Sequence, residues 1–227
     1  MIIEKEKPGQ VIFLGDYFDD YYDSYQEADN TATWLSKSIE QKKRIHLIGN
    51  HDLSYMTDNP KLKCSGYTRQ KHDTIKRHEI DWKKLQLYYW LTDDSLCDEW
   101  LCTHAGFSYT FYSQMTKVKT PSNVLEFSDH DLENIDDLNY EHRFFQAGKA
   151  RQGSANVGGI LWCDYYEEFK PIPDLKQIFG HTPLPSPSHL KNNEINSEHI
   201  CLDTALRHYA IYQNGEMQIK PVREETL

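Results

Sequence analysis

Val11-Ile12-Phe13-Leu14-Gly15-Asp16-Tyr17-Phe18-Asp19 decides the fold, because a short all-apolar run breaks at a glycine into a polar cluster. Bounded by Pro8-Gly9 on one side and Gly15 on the other, the run has the look of a strand covered on both faces. Ala28, Ala32, Leu35 and Ile39 then recur at helical steps, and Lys42, Lys43 and Arg44 beyond them complement a helix dipole. Ile45 to Ile48 returns as a second buried strand and ends in Gly49-Asn50-His51-Asp52. A strand, a helix and a strand in that order imply a parallel pair joined by a right-handed crossover, so the first half is α/β.

Working outward, residues 53–84 read as a short helical insert, with Lys61 to Lys84 a solvated face and a lid as the competing reading. Strands are expected at Leu87 to Leu91 and Trp100 to Thr103, a helical stretch near Leu132 to Ala147, and strands at Ile160 to Trp162 and Gln177 to Phe179. His208 to Gln213 and Glu216 to Ile219 flank Asn214-Gly215, the signature of a type I′ hairpin. Thr182 to Pro187 is a stiff loop. Neither a repeat nor a linker divides the chain, so residues 1–227 are read as one domain.

With 38% hydrophobic residues the chain can bury a sizeable core, and its net charge of −10 excludes a basic coat for nucleic acid or anionic lipid. An anionic substrate would need local cations. Five cysteines, odd in number and without a Cys-x-x-Cys pair, suggest reduced buried thiols. No apolar run approaches the ~18 residues of a membrane helix. The start, Met1 to Pro8, has no secretory core, so a cytoplasmic location is expected.

Four apolar runs end in polar clusters: Asp16 to Asp19, Asn50 to Asp52, Thr103-His104 and Gly180-His181. In a sheet with parallel central strands such loops converge on one rim. A carboxylate, an amide oxygen and two imidazoles form a mixed oxygen and nitrogen set suited to Mn²⁺, Fe or Zn²⁺. Glycine precedes Asp16, Asn50 and His181, which lets the chain turn sharply off each strand.

Together these motifs resemble the calcineurin-like metallophosphoesterases, and within them the phosphoprotein-phosphatase type. Gly15-Asp16-Tyr17-Phe18-Asp19 looks like the family's G-D-x-x-D, Gly49-Asn50-His51-Asp52 like G-N-H-[DE], His104 like its middle histidine, Gly180-His181 like its late G-H and Leu161 to Asp164 like L-W-x-D. The resemblance implies a two-sheet β sandwich flanked by helices, of α/β (α+β) class. It also implies hydrolysis of phosphoesters on a small-molecule or protein substrate by water activated between two divalent metals. Asp16 would bridge the metals. Asn50, His104 and His181 would complete one shell, His51 would protonate the leaving oxygen, and Asp19 would orient His51.

Two departures qualify that resemblance. The family's D-x-H strand has no counterpart before Val11, and Met1 to Lys7 reads like the end of the helix that follows it. The first strand is therefore read as missing, one metal is better supported than two, and the near flank of the Val11 run becomes an unpaired edge. Asp20 stands where the phosphatase motif carries a phosphate-clamping arginine, so Arg151 or Arg143 is the candidate substitute, an ordinary surface cation being the competing reading. A truncated remnant holding a single metal and a nucleotide polyphosphate hydrolase are the alternative functions. Tyr17 and Tyr25 read as packing, and His46, His72, His78, His189 and His199 as surface or structural. The same reading for Tyr21, Tyr22, His130 and His142 falls on residues that the structure does not describe.

Overall fold

The computed structural model describes residues 2–20, 23–93, 95–115, 120–125 and 143–222. The expected helix near Leu132 to Ala147 falls mostly outside them. Helix α1 (Ile2–Glu6) leads into β1 (Val11–Phe13), α2 (Tyr25–Ser38) and β2 (Arg44–His46), and β1 pairs β2 in parallel with Ile12 opposite Ile45. Ser24 starts α2 because its hydroxyl accepts the Glu27 amide while the Glu27 carboxylate accepts the Ser24 amide. Ala28, Ala32 and Leu35 are fully buried, as the stripe requires. Burying Leu35 alone contributes about 1.5–3 kcal/mol.

Next come α3 (Asn50–Met56) and α4 (Arg69–Lys76), which build the expected helical insert. Strands β3 (Tyr88–Asp93) and β4 (Asp98–Thr103), the short α5 (Tyr109–Tyr112) and strands β5 (Lys176–Phe179), β6 (Ser188–Asn192) and β7 (Ser197–Cys201) follow. Five of these strands form a mixed sheet in the order β3-β4-β5-β7-β6, with β4, β5 and β7 parallel. The last strands, β8 (His208–Gln213) and β9 (Glu216–Pro221), make the hairpin, and Asn214 and Gly215 both take positive φ as a type I′ turn demands.

Two layers result. Alternate residues of the five-stranded sheet, Trp100, Cys102, Ile178 and Ile200, pack against Ile12, Leu14, Ile45 and Leu47 on one side of the second layer and Ala210, Met217 and Ile219 on the other. Leu101, from the opposite face of β4, joins the core beneath α2, α3 and α4. This is the expected sandwich with helices, except that its second layer consists of two separate two-stranded pieces, β1-β2 and β8-β9. Among the described residues β1 pairs only with β2, and Val11, Ile12 and Phe13 are half-buried, not covered on both faces as their apolar run suggests.

Three further expectations need correction. Ile160 to Trp162 is a turn, not a strand: the Trp162 and Cys163 amides bond back to the Gly159 carbonyl, and the run is apolar because the turn packs inside the core. The stretch Lys61 to Lys84 is not wholly a solvated face, since Leu62, Lys71, His72, Thr74 and Ile75 are buried. Of the five cysteines, all free, only Cys102, Cys163 and Cys201 are buried, while Cys97 is exposed and Cys64 half-buried. Among the described residues no helix is long and apolar enough to cross a membrane.

Candidate metal centre

Three carboxyl-end turns and one helix start bring Asp16, Asn50, His104 and His181 to one point. Asp16 follows β1, Asn50 opens α3 after β2, His104 follows β4 and His181 follows β5. His104 Nε2 lies 3.0 Å from Asn50 Oδ1, 3.1 Å from His181 Nδ1 and 3.3 Å from Asp16 Oδ2. The ligand atoms of Asp16, His104 and His181 all fall within 4.8 Å of one another.

Asp16, Asn50 and His104 each face that point with an acceptor. His104 Nδ1 is 2.7 Å from the Leu14 carbonyl, which can only accept, so Nδ1 carries the hydrogen and Nε2 turns a lone pair to the cluster. The Asn50 Nδ2 group points to Cys64 Sγ at 3.7 Å, and the Cys64 thiol donates to the Asn50 carbonyl at 3.1 Å, which keeps Oδ1 inward. Asp16 Oδ1 is taken by the His51 amide at 3.0 Å, leaving Oδ2 for the cluster.

Lone pairs crowded together repel unless a positive charge sits among them. Burial alone would raise the Asp16 carboxyl, but His104, His51 and His181 hold it far below the usual carboxylate range. Burial pulls His104 down and the neighbouring Asp16 carboxylate outweighs it, raising the imidazole. His181 goes the other way, held well below its ordinary value by burial and by the charge of His104. Ligand atoms around an ion at about 2.0–2.2 Å stand roughly 3.0–3.5 Å apart, which is the spacing of the three neighbours of His104 Nε2. The donor set fits Mn²⁺, Fe or Zn²⁺, and among the described residues it is the one such group.

Backbone strain accompanies the site. Asp16, Asp19 and His181 take φ of 57°, 71° and 69°, conformations that side-chain-bearing residues seldom adopt away from functional turns. The glycine expectation holds at two of three positions. Gly15 has φ of 93° and lies against the Gly49 backbone, while a Cβ on Gly49 would sit 2.1 Å from Asp16 Oδ1. Gly180 differs: its φ is ordinary, and a Cβ would meet nothing nearer than 3.6 Å. Gly49→Ala is therefore expected to push Asp16 aside and weaken metal binding about 10–100-fold, a loss read by titration calorimetry, whereas Gly180→Ala leaves affinity within about twofold.

His51 sits at the edge of the cluster, its Nδ1 3.6 Å from Asp19 Oδ2. Burial would lower this imidazole, but Asp19, Asp16 and Asp52 outweigh it and raise it, so it keeps a proton further up the pH scale. Arg151 lies next to the His181 loop, where one nitrogen, Nη2, bonds both Thr182 Oγ1 and Asp164 Oδ2 at 3.0 Å. Arg143, the other candidate clamp, instead donates to Gln114 Oε1. Of the tyrosines and histidines set aside, Tyr17 and His46 bond each other at 2.9 Å and His46 is buried; burial and Arg44 bring it down to about 4, a structural, neutral imidazole.

Asp52 closes the Gly49-Asn50-His51-Asp52 motif, and the sequence alone assigns it no role. Its fully buried carboxylate accepts the amides of Gly49 at 2.7 Å and of Asp16 and Tyr17 at 2.9 Å, tying the turn after β1 to the turn after β2. A carboxylate three residues after a glycine, in a chain with a second strand-end glycine, was the available signal.

The profile of a family described as calcineurin-like phosphoesterase matches residues 1–203. Among curated proteins no sequence matches the chain.

Proposed function

Because the chain belongs to the calcineurin-like phosphoesterases, which hydrolyse phosphoesters with divalent metals, we propose that it is a phosphatase-type phosphomonoesterase whose ion is held by Asp16, Asn50, His104 and His181. The observation that carries this reading is the convergence of Asp16 Oδ2, Asn50 Oδ1 and His181 Nδ1 on His104 Nε2, each within 3.3 Å of it. When bound, the cation supplies Lewis acidity toward water and toward the phosphoryl oxygens. Asp16 would hold that ion with Oδ2, since its Oδ1 accepts the His51 amide and ties the turn after β1 to the start of α3. His51, half-buried and with its proton favoured by three carboxylates, gives that proton to the leaving oxygen; Asp19 turns the ring. Arg151, the cation beside the His181 loop, takes the phosphate-clamping part that Asp20 leaves vacant. The physiological metal is proposed as Mn²⁺.

One ion per chain follows from one ligand group among the described residues. Elemental analysis after loading with Mn²⁺ is expected to give one tightly held ion, and 4-nitrophenyl phosphate is expected to be hydrolysed only with it. With phenyl phosphate, whose leaving group needs a proton, His51→Ala should lower turnover by about 10²–10³-fold and leave the ion in place. Metal-independent hydrolysis would sink the enzyme reading. One ion with no turnover would favour a metal-holding remnant instead.

A further inference from the structure

Asp19 is gripped by a segment whose charged sequence reads as surface. Its Oδ1 accepts the Tyr55 hydroxyl of α3 at 2.6 Å and the Lys71 ammonium of α4 at 3.0 Å. Lys71 keeps only 8% of its side chain exposed; its Nζ also donates to the Gly66 carbonyl at 3.3 Å and stands 4.0 Å from Asp23. Asp23 accepts the Asp19 amide at 3.2 Å. Gly66, at φ of 89°, lets the chain pass so close that a Cβ there would lie 2.8 Å from the Asp19 Cβ. The outcome is a fully buried carboxylate in a left-handed backbone conformation, fixed from four directions.

What all this leaves unbonded is informative. Asp19 Oδ2 and His51 Nδ1 are both buried, neither has a hydrogen-bond partner, and they face each other at 3.6 Å. Burying an ammonium for a merely structural ion pair is costly, and an apolar pair of the same volume would serve stability as well. The geometry points to Lys71, with Tyr55, as positioning residues that act through Asp19 to fix the tautomer and orientation of His51. By occupying Oδ1, they leave Oδ2 as the single acceptor for a hydrogen on His51 Nδ1, so that Nε2 is the atom turned outward. This rests on the proposed role of His51 as proton donor.

The test uses the full chain and two variants, Lys71→Met and the milder Tyr55→Phe, which keeps the ring packed on Phe18 and Tyr67 should the first fail to fold. Long-range ¹H–¹⁵N spectra without metal at pH 8 should show His51 as one Nδ1–H tautomer. In Lys71→Met its ring nitrogens should move toward averaged values, with a smaller shift in the same direction in Tyr55→Phe. His104, anchored on the Leu14 carbonyl, should stay unchanged as an internal control. Unaltered His51 signals in both variants would overturn the inference. With Mn²⁺ bound, Lys71→Met should lower kcat for phenyl phosphate about tenfold more than for 4-nitrophenyl phosphate, whose leaving group needs no proton, with KM within twofold. That selectivity should vanish in a His51→Ala background. Equal losses on both esters, or a full added loss on top of His51→Ala, would refute the positioning role. If the unmodified chain hydrolyses neither ester, the hydrolase reading fails while the spectra still decide the tautomer question.

Discussion

Asp16→Ala is expected to remove metal binding and with it more than about 10³-fold of turnover, while costing the fold only about 1 kcal/mol. The asymmetry follows from what each oxygen touches. Oδ2 faces His104 Nε2 at 3.3 Å within the acceptor cluster, so its loss deletes the one formal negative charge that holds a dication among neutral ligands. Oδ1 accepts the His51 amide, a single hydrogen bond at a helix start that water can replace because 28% of the Asp16 side chain is exposed. Without the carboxylate, burial of His104 is opposed only by the Leu14 carbonyl and the Asp52 charge, so its raised imidazole should fall back toward the neutral form. Titration calorimetry with Mn²⁺ should show affinity reduced by at least about 100-fold, and thermal denaturation without metal should move only a few degrees. Retained one-to-one binding at unchanged affinity would remove Asp16 from the centre and leave the acceptor cluster without its purpose.

How far the sequence reveals this arrangement depends on how each residue earns its place. The β1 run, the α2 stripe and the Asn214-Gly215 turn are legible because local chemistry and tertiary position agree: apolar residues recur at the element's own period, and caps or positive-φ residues mark the ends. The four ligand candidates are legible because each follows an apolar run. Strand β7 is not. Ser197-Glu198-His199-Ile200-Cys201 lies in the sheet between β5 and β6 and is buried throughout, yet its sequence is mostly polar. Glu198 tolerates that position only because His189 and Lys191 of β6 face it, a pairing visible once the strands are side by side. Lys71 fails for the same reason: a lysine in a charged stretch reads as solvated, and its partner Asp19 is 52 residues away. Ile160 to Trp162 errs in the opposite sense, since burial of a turn and burial of a strand leave the same short apolar run.

Asp52→Ala is expected to do the reverse of Asp16→Ala, lowering stability by about 3–5 kcal/mol and the melting temperature by roughly 10–15 °C. Three backbone amides, from Gly49, Asp16 and Tyr17, converge on this one fully buried carboxylate, and alanine would leave all three without an acceptor. Burial and the Asp16 charge push the Asp52 carboxyl up to about 7, so the comparison belongs at pH 8, where it is ionised and both oxygens accept. Asp52→Asn separates hydrogen bonding from packing. It fills the same volume and keeps one acceptor oxygen, but its NH₂ group must face at least one amide hydrogen, so a loss of about 1–3 kcal/mol is expected. Because the Asp16 amide is one of the three, the turn carrying Asp16 should loosen, and Mn²⁺ affinity should fall about tenfold in the variant that still folds. Denaturant melts that place Asn at or above the loss of Ala would show that a clash, not the missing acceptors, destabilises the turn. Melts that leave both variants within 0.5 kcal/mol of the natural chain would mean that the two glycine turns hold each other without Asp52.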